Sequence, residues 1–352
     1  MPSVVSNQGS GIAWVESLSP WPDKFGLDTM RALLADLGEP QRAYPSIHVV
    51  GTKGKSTATR TIAAYLEGEG VRTGAYTSPH VSGWSERIQV GAQEVDIERA
   101  LERVRRAAEA LGTTQFEVLT AAALLEFAES EVDVAVVEAG LGGRLDATNV
   151  IDAGIVLLTN VDLEHTEVLG ETREQIAKEK LAVAHAARVV VISDNKYSEL
   201  IPEQAEQVVG GSREAAAAFL GRPVEGSIEV DLPGRFEQRG EEVWDGAHTP
   251  AAVDWLLDRL PAGDYTLCVS VLADKDVDAM LERLASAGDH LIATRSTNER
   301  ALAPDELARR AEPHFARVEA VAEPRAAYAR ARELGPRVLV TGSLYLLADL
   351  YG

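Results

Sequence analysis

The sequence contains a single cysteine and lacks any long apolar run. With only Cys268 present, a disulfide within the chain is excluded, which is compatible with a reducing interior. Cys268 lies in the strand-like stretch YTLCVSV, so we interpret it as a core residue and not as a nucleophile. No stretch approaches the ~18 consecutive apolar residues of a membrane span, and the first residues lack the pattern of a signal peptide. The sequence therefore predicts a cytoplasmic protein with no membrane partner.

Basic residues are in the minority. The chain has 34 lysines and arginines against 55 aspartates and glutamates, a formal net charge of -21. Such an acidic balance disfavours nucleic acid or an anionic membrane surface as the main partner. Any anionic ligand must therefore be bound by locally placed cations. We also expect a monomeric protein that binds no nucleic acid.

Apolar, strand-like runs alternate with segments of helical period along most of the chain. The 352 residues, 45% of them hydrophobic, suffice for roughly two or three domains. The alternation predicts an α/β fold with a mostly parallel sheet covered by helices. It weakens over the glycine-rich stretch 210–234 and restarts beyond it. We therefore predict one domain over residues 1–232 and a second, smaller α/β domain over 233–352.

A glycine-rich loop follows the first strand-like run, in IHVVGTKGKST. Backbone N–H groups of such a loop, a helix N-terminus and Lys55 together form a site for an anion such as phosphate. The usual phosphate loop reads GxxxxGK[ST], whereas here Gly51 precedes Gly54 by only three positions. Gly51–Thr57 is therefore predicted to be a shortened phosphate loop. The alternative is an ordinary turn that needs glycine for a positive φ.

Polar side chains follow two later strand-like runs. Glu138 ends the run VDVAVVE, and the next run, IVLLTNVDLEH, ends with Asn160, Asp162, Glu164 and His165. Carboxyl ends of parallel strands form the ligand-binding edge of an α/β sheet. Carboxylate oxygens there, beside a phosphate loop, suit Mg²⁺. The alternative is a pair of solvated strand ends.

Two further groups of residues are candidates. The helix-like segment TREQIAKEKLAV carries Lys178 and Lys180, which periodicity alone interprets as a charged helix face. In the second half, Arg235 is suited to phosphate oxygens and Asp245 to a ribose hydroxyl, with His248 close by in the sequence. A serine hydrolase is disfavoured because no GxSxG motif is present, and no Cys/His spacing fits zinc.

Taken together, these motifs resemble the Mur ligase superfamily and, within it, the folylpolyglutamate synthase/dihydrofolate synthase family. The resemblance extends from about residue 45 to the end. It is carried by HVVGTKGKST, GAYTSPHVSGWSERIQV, VVEAGLGGRLDATNVI, TNVDLEHTEVLGETREQIAKEKLAV, PGRFE, DGAHTP and VLVTGSLYLLADL. It implies a P-loop-type ATPase domain with a mostly parallel sheet and a smaller, Rossmann-like C-terminal α/β domain.

The implied activity is an ATP-dependent amide-bond ligase, which adds L-glutamate to a pteroate or folate through an acyl phosphate. Two alternatives stay open. One is a Mur-type ligase for a non-folate acceptor, such as a peptide or poly-γ-glutamate, which is favoured because Ser56 follows Lys55 directly. The other is a nucleotide-binding regulatory subunit without ligase activity.

The resemblance also implies a role for each candidate residue. The catalytic residues would be Lys55, Glu138, His165 and Lys180, of which Lys180 matches a lysine that is carbamylated in the family. Mg²⁺ would be held by Ser56, Ser78, Glu138 and His165. ATP would be bound by Gly51, Thr52, Lys53, Gly54, Lys55, Ser56, Thr57, Asn160, Arg235, Asp245 and His248.

We place the ring of the acceptor on the first domain, near Trp84, Phe116, Glu117 and Asp146. The phosphate loop fixes the transferred phosphate, so the acceptor carboxylate must approach to roughly 3–3.5 Å and its ring must extend away from the nucleotide. Asp146 suits the N–H donors of a pterin, and Trp84 offers an aromatic neighbour. The alternative is that Trp84 covers the core and Asp146 caps a loop.

Overall fold

A computed structural model describes residues 10–22 and 24–352. The chain forms two compact units, each with a sheet of its own. The first comprises the residues up to Pro79 and Trp84–Val230, and the second comprises His80–Gly83 and Asp231–Gly352. The assignment of residues 1–232 and 233–352 to an ATP-binding and a ligase domain stays a prediction.

An eight-stranded sheet forms the centre of the first unit. Its strands are β1 (Ser46–Val50), β2 (Thr73–Tyr76), β3 (Ile88–Val90), β4 (Gln93–Glu94), β5 (Val134–Glu138), β6 (Ile155–Leu158), β7 (Val189–Ile192) and β8 (Glu206–Val209). Their order is β4–β3–β2–β5–β1–β6–β7–β8, and only β3 and β4 pair antiparallel. Because β1 lies between β5 and β6 in parallel, the carboxyl ends of these three strands meet at one edge.

Helices cover both faces of this sheet. They are α1 (Gly11–Glu16), α2 (Asp28–Asp36), α3 (Lys55–Gly68), α4 (Ile97–Leu111), α5 (Gln115–Glu129), α6 (Thr166–Leu169), α7 (Arg173–Leu181) and α8 (Ser212–Leu220). Side chains of β1 alternate between two cores. Ile47 and Val49 pack with α3 and α8, whereas Val50 packs with α4, α5 and α7. All five residues of β1 are buried, including the polar Ser46 and His48, because helices cover the sheet on both faces.

The second unit has a six-stranded sheet. Its strands are β9 (Glu237–Arg239), β10 (Glu242–Trp244), β11 (Thr266–Val269), β12 (His290–Ala293), β13 (Arg317–Ala320) and β14 (Val338–Thr341). They lie in the order β13–β12–β11–β14–β10–β9, with only β9 antiparallel. The helices are α9 (Pro250–Leu257), α10 (Val277–Leu284), α11 (Pro304–Ala311), α12 (Pro324–Leu334) and α13 (Leu344–Tyr351). The short segment His80–Gly83 belongs here because Val81 is buried in the core with Trp244 and Leu347.

The predicted α/β fold is confirmed, with one difference over 210–234. The sequence shows only a weak pattern there, yet β8 precedes this stretch and α8 lies within it. Four consecutive alanines at 215–218 give no contrast between helix faces, although alanine is the strongest helix former. Ala215 and Ala216 are fully buried against the core formed with α3. Across the described residues, no helix has both the length and the apolarity to cross a bilayer.

Candidate functional site

The glycine-rich loop connects the end of β1 to the start of α3, as the sequence predicts. Gly51 and Gly54 have φ values of 147° and 75°, which L side chains rarely adopt. A Cβ on Gly51 would lie 1.9 Å from the Thr159 hydroxyl oxygen. Glycine is therefore required at this position for both its conformation and the close approach of β6. The first N–H groups of α3 are left without intrahelical acceptors, which suits an anion.

Asn160 holds the loop in place. The N–H of Lys53 donates to Asn160 Oδ1 (2.9 Å), Asn160 Nδ2 donates back to the Lys53 carbonyl (2.9 Å), and the N–H of Thr52 donates to the Asn160 carbonyl (3.1 Å). The Thr52 hydroxyl in turn accepts the N–H of Asp162 at 3.0 Å. The end of β6 therefore fixes the loop through paired hydrogen bonds. The predicted contact of Asn160 with nucleotide stays a prediction.

Two lysines of the loop have their amines close to it. Lys55 Nζ donates to the carbonyls of Gly51 (3.1 Å) and Thr52 (3.4 Å). Lys53 Nζ lies 3.7 Å from Asp162 Oδ2. The Lys55 amine thus lies over the loop, where it can exchange neutral carbonyl acceptors for charged phosphate oxygens.

Glu138 at the end of β5 accepts hydrogen bonds from two of the other predicted metal ligands. Its side chain is almost fully buried, and Oε1 accepts the Ser56 hydroxyl at 3.1 Å while Oε2 accepts the N–H of Ser78 at 2.9 Å. The hydroxyl of Thr57, on the first turn of α3, is on an exposed residue. The carboxylate of Glu138 and the Ser56 hydroxyl are oxygen groups, the ligand type that Mg²⁺ prefers, whereas Ser78 contacts Glu138 through its backbone N–H.

His165 is placed differently from these residues. It precedes the short helix α6 with a φ of 43°, its side chain is half exposed, and its Nδ1 lies 3.8 Å from Glu167 Oε1. Within the part of the chain that the structure describes, no three His, Cys, Asp or Glu side chains are grouped to hold a metal ion. The structure thus brings Ser56, Ser78 and Glu138 together, and a metal role for His165 stays a prediction.

Lys180 is buried beside the glycine-rich loop and is not part of a solvated helix face. Its Nζ donates to the Gly51 carbonyl (2.9 Å) and to Glu164 Oε1 (2.6 Å). Burial lowers the pKa of Lys180, while Glu164 acts in the opposite direction. The periodic pattern alone misses this lysine, and it also gives no sign that Glu164 is its partner.

A second glycine-rich loop, residues 140–146, follows β5 and packs against α7. A Cβ on Gly143 would lie 2.6 Å from the Lys180 carbonyl oxygen, and one on Gly140 would lie 2.6 Å from Phe116 Cζ. Asp146 is buried and accepts the N–H groups of Leu141 (2.7 Å) and Thr148 (3.0 Å). Burial raises the pKa of this carboxyl. Asp146 therefore fixes the loop, and its predicted contact with an acceptor ring stays a prediction.

The other predicted acceptor residues have local partners as well. Glu117 caps α5, where its carboxylate accepts the N–H of Thr114 at 2.8 Å. The indole N–H of Trp84 donates to Glu16 at 3.1 Å, and the Arg87 guanidinium lies 5.2 Å from its ring centroid. These contacts order Glu117 and Trp84 without establishing a contact with a ligand.

Arg235, Asp245 and His248 lie in the second unit. Asp245 is buried, accepts the N–H groups of Phe236 (2.7 Å) and Ala247 (2.8 Å), and has a pKa raised by burial. Arg235 Nη1 is buried and has no hydrogen-bond partner among the described residues. His248 Nδ1 lies 2.7 Å from the Gly246 carbonyl, which can only accept, so Nδ1 carries the proton.

Two family models match the chain. The Mur ligase middle domain matches residues 49–223, and the Mur ligase glutamate ligase domain matches residues 234–344. Among curated relatives, a probable bifunctional folylpolyglutamate synthase/dihydropteroate synthase from Halobacterium salinarum is 32% identical over 403 residues. The chain belongs to the folylpolyglutamate synthase/dihydrofolate synthase family. The alignment covers 93% of this chain but 49% of that relative, so the chain spans about half of the relative's length.

Solved structures of the family extend over nearly the whole chain. E. coli FolC in complex with DHPP and ADP has a TM-score of 0.85 and 26% identity, and covers 99% of this chain and 98% of that chain. A bifunctional folylpolyglutamate synthase/dihydrofolate synthase with Mn, AMPPNP and L-glutamate bound has a TM-score of 0.84 and 25% identity, and covers 97% of both chains. The family fold is therefore present across both units.

Proposed function

We propose that the protein is an ATP-dependent ligase that adds L-glutamate to a pteroate or folate. The observation that carries the proposal is the convergence of Lys55, Glu138 and Lys180 around one edge of the sheet, beside a loop whose geometry suits phosphate. The family structures with nucleotide, Mn, L-glutamate and DHPP support this choice of substrates. The monomeric state and the cytoplasmic location stay predictions.

In the first step, a carboxylate oxygen of the acceptor attacks the γ-phosphorus of ATP. A new P–O bond forms and the bond to the β-phosphate oxygen breaks, which releases ADP and leaves an acyl phosphate. The residues position the phosphates and neutralise charge, which is most of what phosphoryl transfer needs. The loop N–H groups and the Lys55 amine act on the phosphate oxygens. Mg²⁺, held by Glu138 with the Ser56 hydroxyl, would supply further neutralisation of the phosphate charge.

In the second step, the glutamate amine attacks the acyl carbon. The C–N bond forms, the C–O bond to phosphate breaks, inorganic phosphate leaves and the amine loses a proton to solvent. We assign Arg235 and Asp245 to binding of the nucleotide, because the buried Nη1 of Arg235 has no partner among the described residues and Asp245 is fixed by two backbone N–H groups. The assignment of residues 1–232 to ATP binding and 233–352 to ligation is part of the proposal.

The buried Lys180 is further proposed to be carbamylated. A neutral lysine amine attacks CO₂, an N–C bond forms, and one proton is released, which leaves an anionic carbamate. Burial favours this reaction because it lowers the pKa of Lys180 and so increases the fraction of neutral amine. ¹³C NMR in ¹³C-bicarbonate should show a carbamate signal in the wild type and in Lys178→Ala, which alters an exposed lysine of the same helix. Absence of the signal from the wild type would refute this assignment.

Ligase activity is tested by ATP-dependent phosphate release with L-glutamate and a panel of acceptors. We expect turnover with dihydropteroate, a reduced folate or both, and formation of a product larger by one glutamate. Lys55→Ala should lose turnover, whereas Lys178→Ala should retain it. Turnover only with peptides or poly-γ-glutamate would identify a different Mur-type ligase and overturn the choice of acceptor. Nucleotide binding without turnover on any acceptor would favour a regulatory subunit.

A further inference from the structure

His48 is a buried polar residue in the centre of the first unit. It lies in the middle of β1, two residues before Val50 on the same face of the strand, and its side chain has no solvent exposure. The glycine-rich loop begins only three residues later, at Gly51. A fully buried imidazole needs hydrogen-bond partners.

A chain of hydrogen bonds leads from His48 to Asp146. His48 Nε2 lies 2.8 Å from the Thr148 hydroxyl oxygen, and this hydroxyl is hydrogen-bonded to Asp146 Oδ1. The same carboxylate oxygen accepts the N–H of Thr148 at 3.0 Å. Thr148 is fully buried, and His48 Nδ1 has no partner among the described residues.

The chemistry of the three side chains determines which group donates and which accepts in each hydrogen bond. A hydroxyl carries one proton, and a carboxylate only accepts, so Thr148 donates to Asp146 and must accept from His48. His48 is therefore the neutral tautomer with its proton on Nε2. The opposite tautomer would place a proton on Nδ1, where a buried N–H would have no acceptor among the described residues. Consistently, burial lowers the pKa of His48 to about 3, and His185 acts in the same direction.

Asp146 connects this chain of hydrogen bonds to the loop of residues 140–146. Its second oxygen accepts the N–H of Leu141 at 2.7 Å, so one carboxylate ties the start of the loop to its end. The loop follows Glu138 and packs on α7, since a Cβ on Gly143 would lie 2.6 Å from the Lys180 carbonyl. A change in the orientation of Asp146 would thus displace the 140–146 loop and the residues of α7 that pack on it beside the glycine-rich loop.

We propose that His48 is a positioning residue of this site: its Nε2–H orients Thr148, which holds Asp146 and thereby fixes the 140–146 loop. His48 is therefore not simply a filler of the core. The kinetic part of this inference rests on the proposed function, whereas the tautomer does not. The inference requires a hydrogen-bond donor at residue 48 and not only a side chain of suitable volume.

Two substitutions at His48 distinguish the effect of its hydrogen-bond donor from the effect of its side-chain volume. The amide of His48→Gln can still donate to Thr148, whereas His48→Leu fills space without a donor. We expect His48→Leu to reduce kcat/KM for the acceptor by about tenfold, as expected for loss of one buried hydrogen bond, and His48→Gln to stay within about threefold of the wild type. Equal losses in both variants, or no loss in His48→Leu, would overturn the positioning role.

NMR tests the tautomer independently of any ligase assay. In protein labelled with ¹⁵N at histidine, long-range ¹H–¹⁵N correlations distinguish an Nε2–H from an Nδ1–H imidazole. The wild type should show His48 as the Nε2–H form near neutral pH, and Thr148→Val should shift the population toward Nδ1–H. An Nδ1–H form or an imidazolium in the wild type would refute the inference even if ligase activity is confirmed. The Nε2–H form together with no ligation would support the tautomer and the hydrogen-bond chain to Asp146, but would reject the proposed function and the kinetic role of His48 that rests on it.

Discussion

At the scale of single residues, the site requires glycine at certain positions as well as polar side chains at others. Gly51 illustrates this, because the Thr159 side chain and the backbone nitrogen of Asn160 occupy the space that a Cβ would need. The same loop is held by Asn160 and contacted by Lys180. Small changes at Gly51 should therefore alter both the loop and the residues that we propose to bind ligands.

Gly51→Ala should destabilise the first unit and abolish nucleotide binding. The added Cβ would meet the Thr159 hydroxyl oxygen at 1.9 Å, and alanine would be held at a φ of 147°. We expect a stability cost on the order of 1–3 kcal/mol from the backbone strain alone. Thermal unfolding and calorimetric titration with ATP measure both effects. Gly68→Ala is the matched control, since its Cβ would meet nothing within 4 Å, and it should stabilise α3 slightly.

Glu138→Gln should raise the Mg²⁺ concentration needed for half-maximal activity by at least about tenfold. The amide can still occupy the position beside Ser56 and Ser78, but it removes the negative charge that favours a divalent cation. Activity measured against Mg²⁺ concentration gives the shift. Glu126→Gln neutralises another buried carboxylate of the same unit and should leave this dependence unchanged. An unaltered Mg²⁺ dependence in Glu138→Gln would exclude the metal role of Glu138.

At the scale of elements, α7 is important because it positions the buried Lys180 beside the glycine-rich loop. Its start is fixed by a reciprocal cap, in which the Thr172 hydroxyl accepts the N–H of Gln175 (3.2 Å) and the Gln175 side chain accepts the N–H of Thr172 (3.2 Å). Such a capping box satisfies two backbone donors that a helix start otherwise leaves unpaired.

Thr172→Ala should therefore destabilise α7 by about 1 kcal/mol, the usual cost of losing a threonine cap. Hydrogen exchange of the α7 amides should become faster, and Lys180 should lose order with them. Thr172→Ser keeps the hydroxyl and should retain protection close to that of the wild type. Unchanged exchange in Thr172→Ala would show that packing alone holds the helix.

Most elements could be predicted from the sequence because their patterns are strong. The four residues before Glu138 are apolar at consecutive positions, which is typical of a strand buried on both faces, and the run before Gly51 has Ile47, Val49 and Val50. The helix α8 could not be predicted from its periodicity, because its alanines carry no contrast between faces. The partners of Lys180 and His48 could not be predicted either, since Glu164 and Thr148 approach them through tertiary packing and not through sequence spacing.

At the scale of the whole molecule, a chain with a net charge of -21 must concentrate cations where an anionic substrate binds. Lys53, Lys55 and Lys180 lie at one edge of the first sheet, within contact distance of the glycine-rich loop or its anchoring residues, where we propose that ATP binds. Because buried titratable groups lie close to that edge, the stability of the fold there should depend on pH. His48 is the clearest case, because it is fully buried and its folded pKa lies far below that of an exposed imidazole.

The stability of the protein should decrease as the pH falls below about 6.5, and part of this decrease should be due to His48. The pKa of an exposed histidine is about 6.5, whereas burial lowers the pKa of His48 to about 3, so between these values the unfolded chain binds a proton that the folded chain does not. Stability then rises with pH in this window, by at most about 1.4 kcal/mol per pH unit for one proton, and is fully restored above it. The buried Asp146 acts in the opposite direction, since its raised pKa lets the folded protein take up a proton first.

Comparison of the wild type with His48→Gln isolates the histidine contribution, because glutamine does not titrate and Asp146 is common to both proteins. Urea unfolding at a series of pH values should show stability falling less steeply below pH 6.5 in His48→Gln than in the wild type, with parallel curves above it. Parallel curves across the whole range would mean that His48 is protonated as readily in the folded protein as in the unfolded chain. That result would contradict a neutral, buried imidazole whose Nε2–H donates to Thr148.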